Sequence, residues 1–188
     1  MATMATKPTT PDTPLAPVPA IAVIIPHYND VARLARCLTA LAPQLAPDVE
    51  LVVVDNGSTD SLEPARAALP GVQIVTEPEK GAAPARNRGV AETTAPVLVF
   101  IDSDCLPAAD WVEMARKTAA RSDGDLFGGR VDVFDETPPP RSGAEAFEAV
   151  FAFNFRKYIE KQGFTGAGNM VTHRAVFENV GGFLNGVS

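Results

Sequence analysis

The sequence predicts an α/β domain built on a mainly parallel sheet flanked by helices. Three short apolar runs, Ile21 to Ile25, Leu51 to Val54 and Val97 to Ile101, are rich in β-branched residues, and helix-like segments lie between them. Each run ends abruptly in polar residues, as buried parallel strands do where they reach the ligand edge of an open sheet. Strand and helix patterns alternate over the first two thirds of the chain, which requires right-handed crossovers and a helix-covered sheet.

Ile21 to Ile25 reads as the first strand, with Pro26 expected to end it. Asp30 precedes a helix whose apolar face is Val31, Leu34, Leu38, Leu41 and Leu45, with Cys37 packed inside it. Leu51 to Val54 is the second strand and stops at DNGSTD, where Gly57 permits a tight turn. Ser58, Thr59 or Asp60 can cap a helix from Ser61 to Leu69. Val72 to Val75 gives a third strand, and Gly81 to Glu92 a turn and helix bearing Arg86 and Arg88. Val97 to Ile101 is followed by Asp102 and Asp104, then by a helix from Asp110 to Arg121.

Beyond Arg121 the pattern changes. A strand is expected from Leu126 to Phe134, interrupted at Gly128-Gly129, and ETPPPRSG then marks a seam or loop. Ala144 to Lys161 reads as a helix with an aromatic face of Phe147, Val150, Phe151, Phe155 and Tyr158. Core packing is the plain account of that face; contact with an acceptor, a membrane surface or a second copy, giving a homodimer, is the other. Phe164 to Phe183 supplies a last strand and a short helix. The expected organisation is a Pro/Thr/Ala-rich disordered leader over 1–20, a half over 21–121 and a partial second half over 122–188.

The formal net charge of -7, without a basic stripe, argues against a nucleic-acid backbone as partner. The apolar runs are strand-length, so no transmembrane helix is expected, and the leader lacks the apolar core of a signal peptide. The cysteines, Cys37 and Cys105, form neither a C-x-x-C pair nor a metal-ligand spacing and read as free thiols of a cytoplasmic protein, one that could work at the inner face of a membrane.

Asp102 and Asp104 stand one residue apart at a strand end. Two carboxylates so placed either cap an acidic turn or face one hard cation, since their mutual repulsion favours a bound ion or a raised pKa. By themselves the residues allow both.

Five blocks in order, IAVIIPHYND, LVVVDNGSTD, EKGAAPARNRGV, VLVFIDSDCLP and GAGNMVTHRAVFENVGGF, resemble the family 2 glycosyltransferases of the GT-A fold from Ile21 onward. The resemblance implies that Pro26, His27 and Tyr28 bound a nucleobase pocket, and that Asp55 accepts a hydrogen bond from the base, usually uracil. It places Arg86 near the phosphates or ribose. Asp102 would face the ribose or metal shell, Asp104 would ligate Mn2+ or Mg2+ across the diphosphate of a nucleotide sugar, and Gly168 and Asn169 would frame the donor sugar and acceptor.

Family members carry an acidic general-base motif soon after the GGF turn, and none is found before Ser188. Glu178 lies on the wrong side of that turn and Asp132 has no pattern to recommend it. The expectation is therefore a donor-binding chain, truncated before its catalytic base and poorly active alone, whose whole enzyme transfers a sugar from a UDP-linked donor to a saccharide, lipid or cell-envelope acceptor with inversion. The alternative is a catalytically inactive nucleotide-binding or assembly module. A sugar-phosphate nucleotidyltransferase fits less well, because the first strand leads into PHYND and not into a Gly-rich basic loop.

Overall fold

The computed structural model describes residues 20–121, 124–133, 142–143, 159–161 and 165–185. The expected leader up to residue 19 and the aromatic face from Phe147 to Tyr158 lie outside the described residues, so neither the leader nor the helix-mediated dimer is addressed by the structure.

The strands are β1 (Ile21–His27), β2 (Val49–Asp55), β3 (Gln73–Thr76), β4 (Val97–Ile101), β5 (Leu126–Gly128) and β6 (Asn169–His173). The helices are α1 (Val31–Leu41), α2 (Glu63–Ala68), α3 (Ala82–Ala91), α4 (Trp111–Ala119) and α5 (Arg174–Val180). The strands form one sheet in the order β3-β2-β1-β4-β6-β5, in which β3, β2, β1 and β4 are mutually parallel and β6 runs antiparallel to both its neighbours. This is the mainly parallel, helix-flanked sheet that the alternation predicts.

Strand alternation sorts the core into two layers. Ile21, Val23 and Ile25 pack with Leu34, Cys37, Leu38 and Leu41 of α1, Ala65 of α2 and Val112 and Ala115 of α4. Ala22 and Ile24, facing the other way, pack with Ala85 and Val90 of α3 and Phe177 of α5. Both faces are covered, which explains why these strands read as continuous apolar runs and not as alternating ones. Each fully buried Ile or Leu contributes about 1.5–3 kcal/mol, enough to override weak local preferences.

Several boundaries differ from the expectation. Pro26 does not end β1, which runs on to His27 paired with Asp55. Alternation turns the missing N–H of residue 26 toward β4, and that ladder has already stopped at Ile24↔Phe100, so no bond is forfeited. The first helix stops at Leu41 because Pro43 follows in a short 3-10 turn over Ala42–Gln44, leaving Leu45 outside it. α2 begins at Glu63, not Ser61, with no side-chain cap from Ser58, Thr59 or Asp60; Ser58 and Thr59 instead serve the loop packing described below. β5 stops at Gly128, short of the expected Phe134: the Gly129 N–H still donates to the Asn169 carbonyl at 2.8 Å, but the next carbonyl, of Arg130, is taken by the Asn169 side chain at 2.9 Å, so the ladder gives way to a side-chain contact. Among the described residues no helix is long and apolar enough to cross a membrane.

Candidate functional site

β1 leads through α1 to β2 on one side, while its other neighbour, β4, is reached through α3 on the opposite face. Connections therefore diverge between the carboxyl ends of β1 and β4, and a crevice opens there, as in other open α/β sheets. It is a cleft of about 480 Å³. Pro26, His27 and Tyr28 enter it from the end of β1, Asn56 from the end of β2, Lys80 and Arg86 from the start of α3, and Asp102, Ser103 and Asp104 from the end of β4.

The loops at this edge are tied to one another. The side chain of Asp30 accepts from the Arg33 N–H and caps α1. The Asn29 N–H donates to Ser58 Oγ at 2.9 Å, and the Thr59 N–H donates to Asn29 Oδ1 at 2.8 Å. Both Asp55 carboxylate oxygens accept from the Ser58 N–H at 3.3 Å, closing the DNGS turn. Asp55 is thus buried at the end of β2, behind Asn56 and not on the cleft wall itself.

Arg86 is a largely buried cation of the cleft. Its guanidinium donates to Asp102 Oδ1 at 2.5 Å, and its carbon lies 5.6 Å from the centre of the Phe183 ring. Phe183 is in turn held by Asn87, whose amide accepts from its N–H and donates to its carbonyl, both at 2.9 Å. Only 13% of the Arg86 side chain is exposed, and its Nε finds no partner among the described residues. A buried guanidinium with donors to spare suits a phosphate that can take two of them in parallel.

Gly81 precedes α3 at φ 129 and offers no side-chain cap, so the first amide groups of this ten-residue helix remain turned toward an incoming anion. Asn56 fixes the approach: its amide donates to the Glu77 and Glu79 carbonyls at 2.9 and 2.7 Å and accepts from the Gly81 N–H at 2.8 Å.

Across the cleft, the Asp102 carbonyl accepts from the Cys105 N–H at 3.0 Å in a tight turn that leaves the Asp104 side chain exposed. Among the described residues no three His, Cys, Asp or Glu side chains gather to hold a metal by themselves. Two carboxylates do suit a hard ion such as Mn2+ or Mg2+ that takes its other oxygens from water and phosphate. Burial, with Asp104 and Asp102 nearby, pushes the Cys105 thiol up to about 12.

His27 is 2% exposed, and neither ring nitrogen has a partner among the described residues. Burial lowers its pKa, against the opposing pull of Asp55, Asp30 and Asp60, so the imidazole is neutral at physiological pH. Gly168 lies against Asp102: a Cβ there would stand 2.7 Å from Asp102 Oδ2. The Asn169 side chain is occupied, accepting from Trp111 Nε1 at 3.0 Å and donating to the Arg130 carbonyl at 2.9 Å. Asp132 pairs with Arg130, and neither it nor Glu178 lines the cleft.

The model of glycosyl transferase family 2 matches residues 22–181. The chain belongs to that family. The chain is 33% identical over 175 residues to glycosyltransferase AglE of Haloferax volcanii, covering 89% of this chain and 57% of that relative. Among solved structures, a mannosyltransferase from Pyrobaculum calidifontis in complex with GDP-Man and Mn2+ superposes with a TM-score of 0.67 at 25% identity, over 89% of this chain and 48% of that one. Glucosyl-3-phosphoglycerate synthase from Mycobacterium tuberculosis, in complex with Mn2+, UDP and phosphoglyceric acid, has a TM-score of 0.60 at 23% identity, over 84% and 56% of the two chains, and shares the fold. The chain spans about half the length of these family 2 relatives and GT-A neighbours.

The structure brings Pro26, His27, Tyr28, Arg86, Asp102 and Asp104 onto one cleft, with Asp55 behind it and Gly168 against Asp102. Sequence reasoning missed Asn56, Lys80 and Asn87 as members of the site. Asn56 was hidden inside a turn signal, and Lys80 and Asn87 flank Arg86 within the EKGAAPARNRG block, where only the arginines carry an obvious phosphate chemistry.

Proposed function

We propose that this chain is the donor side of a metal-dependent glycosyltransferase that holds a nucleoside-diphosphate sugar in the switch-point cleft. The observation that carries the reading is the Arg86–Asp102 pair at 2.5 Å, set beside Asp104 and the uncapped start of α3. Two cations, Arg86 and Lys80, one helix N-terminus and two carboxylates form an unusual lining for a neutral ligand. They are the complement of a diphosphate bridged by a divalent ion.

In this reading Asp104 and Asp102 hold Mn2+ or Mg2+, whose chemistry is Lewis-acid stabilisation of the charge that grows on the departing diphosphate. Arg86 donates to a phosphate or ribose oxygen and keeps Asp102 oriented. Asp55 accepts from the ring N–H of the base, with Pro26, His27 and Tyr28 bounding the base pocket and uridine diphosphate as the expected carrier. The mannosyltransferase neighbour, bound to GDP-Man and Mn2+, supports the pairing of nucleotide sugar with metal. Gly168 and Asn169 border the donor sugar and the acceptor, a saccharide, lipid or cell-envelope glycan.

Inverting transfer also needs a base for the acceptor hydroxyl. The carboxylates on the described cleft wall, Asp102 and Asp104, are committed to the metal and Arg86. This favours a chain that binds donor yet turns it over slowly by itself; a binding module without turnover is the second reading. Manganese titration followed by electron paramagnetic resonance tests the first. The free-ion signal should fall when chain and UDP are both present, and fall much less with either alone or with the Asp104→Asn variant. An unchanged signal in the full mixture would remove the metal–donor reading.

A further inference from the structure

Asn87 follows Arg86 on α3 yet does not line the cleft. Successive helix residues point about 100° apart, so while Arg86 enters the cleft, Asn87 meets the chain that leaves α5. That chain turns sharply. Gly181 and Gly182 take φ 84 and 78 in succession, which folds residues 181–183 back onto α3. A Cβ at Gly182 would stand 2.9 Å from Asn87 Oδ1, so the turn seats against the amide only as glycine.

The Asn87 amide then engages both polar groups of one residue, accepting from the Phe183 N–H and donating to the Phe183 carbonyl, each at 2.9 Å. Only a side chain that both donates and accepts satisfies this pair. The clasp fixes a ring. Phe183 stands edge-on to Phe100, with centroids 5.3 Å apart at 90°, and packs against Phe177 at 5.5 Å and 64°. Its ring centre lies 5.6 Å from the Arg86 guanidinium carbon, within cation–π range. Arg86 is thus held from two directions, by the Asp102 carboxylate and by an aromatic face. The second hold depends on where Asn87 sets the backbone of Phe183.

We propose that Asn87 is a positioning residue: by clasping Phe183 it keeps the ring against Arg86 and so preorganises the guanidinium for a donor oxygen. This rests on the donor reading above. A long side chain that is ordered before the ligand arrives loses less rotamer freedom on binding, and that saving appears as affinity. Asn87 touches neither the cleft nor its ligand in this account; it acts through Phe183 on Arg86. A further tie, from the Asn185 amide to the Glu79 carboxylate, keeps the same segment beside the start of α3 when the clasp is removed.

The test is calorimetry of UDP with Mn2+ on the 188-residue chain and its variants. Asn87→Ala should weaken binding about threefold to tenfold. Phe183→Leu, which keeps the backbone partners of Asn87 and removes the aromatic face, should reproduce that loss. In an Arg86→Met background, where no guanidinium is left to orient, Asn87→Ala should cost less than about twofold. NMR relaxation at Arg86 Nε, measured without nucleotide, should show a side chain as rigid as the backbone in the parent and a mobile one in both single variants. A residue that merely supported the fold would weaken binding equally with Met or Arg at position 86 and leave Nε rigid. Either of those results, or unchanged UDP affinity in either single variant, would overturn the positioning role while the parent's binding leaves the donor site standing. Failure of the parent chain to bind UDP or GDP would instead bring down the donor reading and this inference with it.

Discussion

Arg86 shows how one side chain ties the candidate site together, because it touches Asp102, Phe183 and the cleft at once. Arg86→Ala should weaken nucleoside-diphosphate binding by tenfold or more, the loss of about 1.5–3 kcal/mol from a charged hydrogen bond, as read by calorimetry. His27 gives a pH signature of stability. Its folded pKa lies below the ordinary value of 6.5 because burial disfavours the cation. The unfolded chain therefore binds the proton more readily, and stability contributed by neutral His27 is present above about 6.5 and lost as pH falls below it. A His27→Gln variant should show a shallower fall in unfolding free energy between pH 7 and 5 than the parent, measured by denaturant titration. At this scale the sequence was partly legible: Asp102, Asp104 and Arg86 announce themselves by charge at a strand end and a helix start. Lys80 and Asn87 do not, because their partners are backbone carbonyls and amides, Asn56 and Gly57 for one and Phe183 for the other, and such partners leave no pairwise trace in side-chain chemistry.

Among the elements, α3 bears most directly on the site, since its first turn carries the anion-facing amides and Arg86. Its close approach to the sheet depends on Gly89, where a Cβ would stand 2.4 Å from Ile24 Cγ2 and 3.2 Å from Val54 Cγ2. Alanine gains about 1 kcal/mol of helix propensity over glycine, but overpacking a closed core costs about 1–3 kcal/mol, and both strand residues are fully buried. Gly89→Ala should therefore lower the melting temperature in a thermal scan and, by pushing α3 outward, weaken donor binding as well. Strand and helix identities followed from periodicity; boundaries did not. Pro26 reads as a stop, yet β1 continues because the lost donor faces a side where the ladder is already over. Past Gly128 the Arg130 carbonyl is taken by the Asn169 side chain, 39 residues downstream and therefore invisible to local pattern.

At the scale of the whole molecule, the sheet brings residues from three strand ends and one helix start to a single edge, and the divergence of connections at β1 and β4 opens the cleft between them. This convergence was legible from the βαβ alternation, since parallel strands must all end on one side. The antiparallel β6 was not, because antiparallel insertion is fixed by long-range pairing of β6 with β4 and β5. A ligand bound only by the folded sheet edge stabilises the entire domain. At a hundred times its dissociation constant the gain is about 2.7 kcal/mol, or roughly 5–10 °C for a domain of this size, and chelation of the metal should abolish it.

The central claim is that the cleft binds a nucleoside diphosphate through a divalent ion. Calorimetric titration of UDP into the chain, with Mn2+ and then with a chelator, tests it most directly. The account predicts saturable one-to-one binding with Mn2+, much weakened by the chelator and by Asp104→Asn. Binding of equal strength in both solutions, or no binding of UDP or GDP in either, would contradict it.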